Sequence, residues 1–264
     1  MVKYIRSNQV EELTKSAKGL NVKDVWYKYF DGFFESVDSI CEILGVRRED
    51  LTEAYIPNGV TRIGDWAFEN CTSLTSVTIP NGVKSIGDSA FYGCTSLKSI
   101  TIPDSVTSIE ASAFECCESL TRITIPDSVT SIGSSAFEDC RSLKNITIPN
   151  SVTRIEDHTF SACESLTSIT IPDSVREIGF GAFFQCYSLT SVTIPDSVTR
   201  IGGLAFVLCP SLKSVTIGNG VTEIGRDVFG NYNAIIVNHL TVTTNNPYVI
   251  EYCIDNDIDY EDTM

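Results

Sequence analysis

LTRITIPDSVTSIGSSAFEDCRS, residues 120–142, is one copy of a pattern that recurs every 23 residues, without insertion or deletion, from about residue 56 to residue 230. Ile-Pro opens the units at Ile56, Ile79, Ile102, Ile125, Ile148, Ile171 and Ile194, and Ile217-Gly218 is a degenerate eighth. Phenylalanine follows at Phe68, Phe91, Phe114, Phe137, Phe160, Phe183, Phe206 and Phe229, and cysteine at Cys71, Cys94, Cys117, Cys140, Cys163, Cys186 and Cys209. A fixed period of this length means a stacked solenoid, in which each unit buries its apolar side against its neighbours.

Within the unit, Leu-x-x-Ile-x-Ile is rich in β-branched residues and alternates apolar with polar at its end, which predicts a short parallel strand. Proline then removes a donor and ends the ladder. Ala, Phe and Cys at relative positions 0, 1 and 4, followed by Leu at 7, have helical spacing and predict a return through one helical or 3-10 turn. Glycine after the second isoleucine suits a tight corner, yet Glu110 and Glu156 fill the same slot, so a positive φ is not what that slot requires. The Leu, Ile, Pro, Ala-Phe and Cys slots resemble the BspA-like, or Treponema-type, class of leucine-rich repeats across about two thirds of the chain. The resemblance implies an α/β repeat solenoid and an interaction protein, a class that includes microbial surface adhesins. It supplies no catalytic residues.

Solenoid ends expose apolar faces and need covers, which divides the chain into a flank at 1–52, repeats at 53–233 and a closing segment at 234–264. In the first flank, Ser7 is placed to cap a helix running to Lys18. Asn21 is placed to cap a second, whose stripe Val22, Trp26, Tyr29, Phe30, Phe33, Val37, Ile40, Cys41 and Leu44 ends at Gly45. At the other end Pro247–Ile258 is expected to form a short closing helix packed through Val249, Tyr252, Cys253 and Ile258, followed by an acidic tail.

The net charge of −15 disfavours nucleic acid and anionic membranes, which both require a basic face. Apolar runs of a few residues fall far short of the roughly 20 that cross a bilayer, so no membrane insertion is expected. The first twenty residues are charged throughout and lack a signal-peptide pattern. The chain as encoded is therefore expected to be cytoplasmic, or at the cell surface if a signal was removed or export is unconventional. Seven of the ten cysteines share one slot, so their thiols point the same way in a file and do not meet as disulfides. No cofactor motif, metal-ligand set or nucleophile beside a histidine appears, and the chain reads as a non-enzyme with no cofactor. Asp255–Asp259 imitates the start of a calcium loop, but Tyr260 stands where glycine belongs and no twelfth-position Glu follows.

Slots that stay constant serve packing, whereas slots that vary are free to serve recognition. Coils six and seven depart from the polar rule of their neighbours. Phe180, Phe184 and Tyr187 in one, and Leu204, Val207 and Leu208 in the next, stand where other coils carry Asp88, Ser135, Glu138, Asp139 and Arg141. These six are expected to form one apolar contact patch for a protein partner or a second copy. Trp66 and Tyr92 read as isolated surface aromatics. The opposite face carries a threonine file from Thr78 to Thr216, expected to stabilise stacking through its hydroxyls, with Lys98, Arg122, Lys144 and Lys213 beside it.

Overall fold

The structure is a computed structural model that describes residues 47–56, 58–230 and 240–262, with Phe33, Phe34, Ser36 and Cys41 before them. The β-branched stretches form one parallel sheet of ten strands. It runs from Glu53–Tyr55 through Ser76–Thr78, Ser99–Thr101, Arg122–Thr124 and their equivalents to Ser214–Ile217, then Thr241–Thr244 and Asp259–Asp262. Register shifts by one unit per strand, as in Ser168↔Ser191 and Ile169↔Val192, so identical slots stand beside one another. Val-x-x-Ile, whose strand character is not evident from its spacing of three, supplies a second short strand in each coil. With Phe33–Phe34 at its edge, four of these build one sheet of five strands ending at Ser131–Ile132, and four more build another starting at Arg154–Ile155.

The third side of each coil corrects the expected helical return. Alternate amides there leave their own coil: Trp66, Phe68 and Asn70 donate to the carbonyls of Asp88, Ala90 and Tyr92 in the next. The intervening Ala67, Glu69 and Cys71 donate three residues back. Two residues per coil, such as Trp66 and Asn70 or Ser135 and Asp139, have positive φ near 55°, as the third residue of a type II turn does. A helix would keep every amide within the coil, whereas this alternation hydrogen-bonds each coil to the next. The glycine slot is free of positive φ at Gly64, Gly87, Gly133, Gly179, Gly202 and Gly225. Close stacking explains it instead, since a Cβ on Gly133 would stand 2.5 Å from the amide nitrogen of Ala111.

Stacking brings each phenylalanine over the last, with ring centroids 5.0–5.7 Å apart and planes within 14° of parallel. The cysteine thiols donate to the phenylalanine carbonyl of the preceding coil, Cys94 to Phe68 at 3.2 Å and Cys140 to Phe114 at 3.2 Å, rather than facing one another. Burial drives these thiols well above their ordinary range.

Both ends of the stack receive substitutes for the missing coil. At the first, Arg48 Nη1 donates to the carbonyls of Trp66 and Glu69, 3.2 and 2.8 Å away. Phe33–Phe34, inside a stretch expected to be helical, is instead a strand paired with Arg62–Ile63, which fills an edge that a helix leaves open. The helix at Ser7 and the rest of the one at Asn21 lie outside the described residues. At the far end helix α1, Pro247–Asp255, is capped by the Asn246 side chain and buries Val249 and Cys253. Tyr252 and Ile258 pack partly buried beside them. The Tyr252 hydroxyl accepts the Val228 amide at 3.0 Å, which ties α1 to the last coil. Beyond α1 the acidic tail is a strand, Asp259–Asp262, with all four residues exposed.

Candidate functional site

The turns of coils six and seven place the candidate residues. Phe180 and Tyr187 are exposed, at 43% and 39%, and Phe184, Leu204 and Leu208 are half-buried. Val207 is the correction: it is fully buried and presents nothing to solvent. Its slot follows the stacked phenylalanine, and occupancy there depends on length. Short Ser161 and Val207 disappear, whereas Glu115, Glu138 and Phe184 reach partly out. Val207 thus supports the patch from beneath.

Two glycines shape the surface. Gly203 takes a slot held elsewhere by Asp88, Ser134 or Asp157, and a Cβ on it would stand 3.6 Å from Phe180 Cδ2, so the phenyl ring borders a bare stretch of backbone. Gly181 does the same for His158, whose Cε1 would lie 2.7 Å from a Cβ at that position. His158 also meets the Phe180 ring edge-on at 5.4 Å. A row from His158 through Phe180 to the neighbourhood of Leu204 therefore continues across three coils. Sequence reasoning left His158 out; the signal available was glycine replacing Ser and Asp at 181 and 203.

Leu204 and Leu208 both have φ of 59°. A bulky side chain in this left-handed region costs about 1 kcal/mol relative to residues that tolerate it. Several other coils fill these slots with better-suited residues, among them Asn70, Gly93, Asp139 and Gly181. Packing of the stack does not call for leucine at either position. Trp66 shares the conformation and is 55% exposed at the first coil, apart from this group.

The other sequence candidates do not assemble into chemistry. Asp255–Asp259 is spread over the end of α1, a left-handed Asp257 and the start of the last strand. Among the described residues no three His, Cys, Asp or Glu side chains converge as a metal site, and no helix is long and apolar enough to cross a membrane. The threonine file from Thr78 to Thr216 is exposed and makes no hydrogen bond through its hydroxyls among the described residues. The stacking hydroxyls belong to other threonines: Thr75, Thr121 and Thr190 reach carbonyls of the preceding coil at 2.9, 3.3 and 3.2 Å.

Comparison with known proteins follows the same lines. The model of the BspA type leucine rich repeat region matches in six copies, over residues 47–163 and 130–259. A leucine-rich repeat protein from Bacteroides ovatus is similar at 33% identity over 82% of this chain and 52% of its own, with a TM-score of 0.68. The chain spans about half the length of that protein. The T. pallidum leucine rich repeat protein is 28% identical over 80% of this chain and 84% of its own, with a TM-score of 0.49. No curated protein matches the chain.

Proposed function

Because the chain belongs to the BspA-type leucine-rich-repeat family, we propose that it is a non-catalytic protein–protein interaction module. Its contact site is the patch of Phe180, Phe184, Tyr187, Leu204 and Leu208, with Val207 as underlying support. The observation that carries this reading is the exposure of Phe180 and Tyr187 on one coil, at slots that most other coils fill with Asp, Ser, Thr, Glu or Arg. An aromatic pair half in water is the usual anchor of a contact hot spot. Leu208 strengthens the case, because it is kept at a backbone position that disfavours it.

The test compares the wild type with a Phe180→Asp, Tyr187→Ser double variant and with Leu208→Asn, in partner capture and in light scattering over a range of concentrations. The double variant should lose both the captured protein and any concentration-dependent mass. Leu208→Asn should weaken association while leaving stability within about 0.5 kcal/mol, because relief of the left-handed leucine offsets a half-buried contact. Unchanged association in folded variants would place the contact elsewhere. A stable dimer lost on mutation would make the partner a second copy.

A further inference from the structure

We infer that the long sheet is a second binding surface, for a polyanionic polysaccharide chain lying across the strands. It rests on observations separate from the apolar patch, which sits on the turns. The chain carries 34 acidic and 19 basic residues, yet no aspartate or glutamate occurs at 75–78, 98–101, 121–124, 144–147, 167–170, 190–193, 213–216 or 240–243. The charges in those segments are Lys98, Arg122, Lys144 and Lys213, all exposed. None takes part in an ion pair with another described residue, although Arg62, Arg141, Arg154 and Arg200 on other sides of the coils all do. Carboxylates thus stand only on the two end strands of the sheet, Glu53 at one and Asp259, Glu261 and Asp262 at the other, and the eight strands between keep their cations unpaired.

The register gathers three of them. Arg122 pairs with Ser99 on one side and Asn145 on the other, which sets Lys98 and Lys144 diagonally beside it on the flanking strands. Strands about 4.8 Å apart put Lys98 and Lys144 about 10 Å from one another, with Arg122 between. Around them run two ranks of short polar side chains, Ser76, Ser99, Asn145, Ser168, Ser191 and Ser214 in one and the threonine file in the other, exposed in every strand. Acidic residues resume around both corners, with Asp104, Asp127, Asp173 and Asp196 beyond the prolines and Glu118 and Glu164 before the strands. The favourable strip is therefore narrow and elongated along the stack, and its potential draws a negative chain onto that line.

Chemistry chooses between an acidic protein and an acidic glycan. Protein contacts centre on apolar or aromatic anchors, and the alternation of these strands turns every Val and Ile from Val77 to Val215 inward. What faces outward is hydroxyl, amide and cationic nitrogen. That set matches the hydroxyls and the sulfate or carboxylate groups of an extended acidic sugar chain, each of which accepts hydrogen bonds from Lys, Arg or Thr.

Affinity columns of heparin, polygalacturonate, poly-glutamate and neutral dextran at about 0.1 M salt, where surface charges still act over roughly 10 Å, test the proposal. The wild type should be held by heparin, polygalacturonate or both, elute as salt rises, and pass through dextran. Heparin alone would identify sulfate as the preferred anion, and polygalacturonate alone carboxylate. A Lys98→Gln, Arg122→Gln, Lys144→Gln variant, all exposed positions, should fold with unchanged thermal unfolding and lose retention. Thr124→Glu, which places a carboxylate beside Arg122, should also lose it, whereas Arg176→Gln on another side should behave as wild type. Passage of the wild type through both sugar columns overturns the proposal, as does retention by poly-glutamate alone, which would make the partner an acidic protein segment. Equal retention of the triple variant overturns it as well.

Discussion

The buried thiols show how much one side chain contributes when its slot repeats. From Cys94 to Cys209 each file cysteine fills a gap beside the phenylalanine stack and gives its weak donor to a carbonyl of the coil before, so its neutral form is the form that fits. Burial holds Cys209 up to about 12 and Cys253 up to about 11, with Cys94, Cys117, Cys140, Cys163 and Cys186 pushed in the same direction. An unfolded thiol titrates at about 8.5. The folded state therefore binds these protons more tightly; the stability this brings is complete below pH 8.5 and is lost as pH rises towards the folded values. Each fully buried thiol should steepen the alkaline loss by up to about 1.4 kcal/mol per pH unit. Urea midpoints measured from pH 8.5 to 11 for the wild type and Cys140→Ala check this, with a shallower slope expected for the variant. Identical slopes would mean that the thiol ionises without unfolding.

At the level of single elements, the ends of the stack depend on borrowed hydrogen bonds. The amide of Val228 goes to the Tyr252 hydroxyl of α1, whereas the equivalent amides of Ala67, Ala90 and Ala136 bond three residues back in their own coils. Tyr252→Phe keeps the packing of the ring and leaves a buried donor unmatched, so it should destabilise the protein by about 1–3 kcal/mol. Amide exchange should accelerate first at Val228 and its neighbours, and equal protection in both proteins would show that water serves there as well. This helix was legible in the sequence because Asn246 and Pro247 mark its start and Val249 and Cys253 share a face. The return turns were not, because Ala, Phe and Cys at 0, 1 and 4 satisfy a helical period and a run of type II turns equally well. What distinguishes the two is the direction of alternate amides, which depends on the next coil. Val207 was misplaced for a related reason: its slot is recognisable by polarity, but its depth is decided by side-chain length.

Over the whole molecule the repeat is less uniform than its period. Coils four and five are joined poorly: the short-strand sheet stops at Ser131–Ile132 and starts again at Arg154–Ile155. The amides of Thr153 and Glu156 have no hydrogen-bond partner among the described residues, whereas their equivalents Arg176 and Gly179 reach Thr153 and Ile155 carbonyls at 2.8 Å. Coil five alone combines a side chain in the glycine slot, Glu156, with a β-branched residue in the alanine slot, Thr159. The threonine replaces the alanine of Ala113, Ala136 and Ala182 in a fully buried slot, and its hydroxyl bonds the Glu156 carbonyl at 2.8 Å. The Phe137–Phe160 centroids at this junction are 5.7 Å apart, the widest interval in the stack. On the far side, Arg154, Glu177, Arg200 and Glu223 alternate in charge and bind the last four coils together. A linear array with only neighbour contacts yields at its weakest junction. Hydrogen exchange should therefore find Thr153 and Glu156 the least protected strand-side amides inside the array, and denaturant unfolding should occur in two steps divided there. Thr159→Ala should close the junction, slow exchange at Glu156 and draw the two steps into one. If Thr153 and Glu156 exchange no faster than Arg176 and Gly179 in the wild type, the array has no such seam and the interruption in the sheet has no energetic consequence.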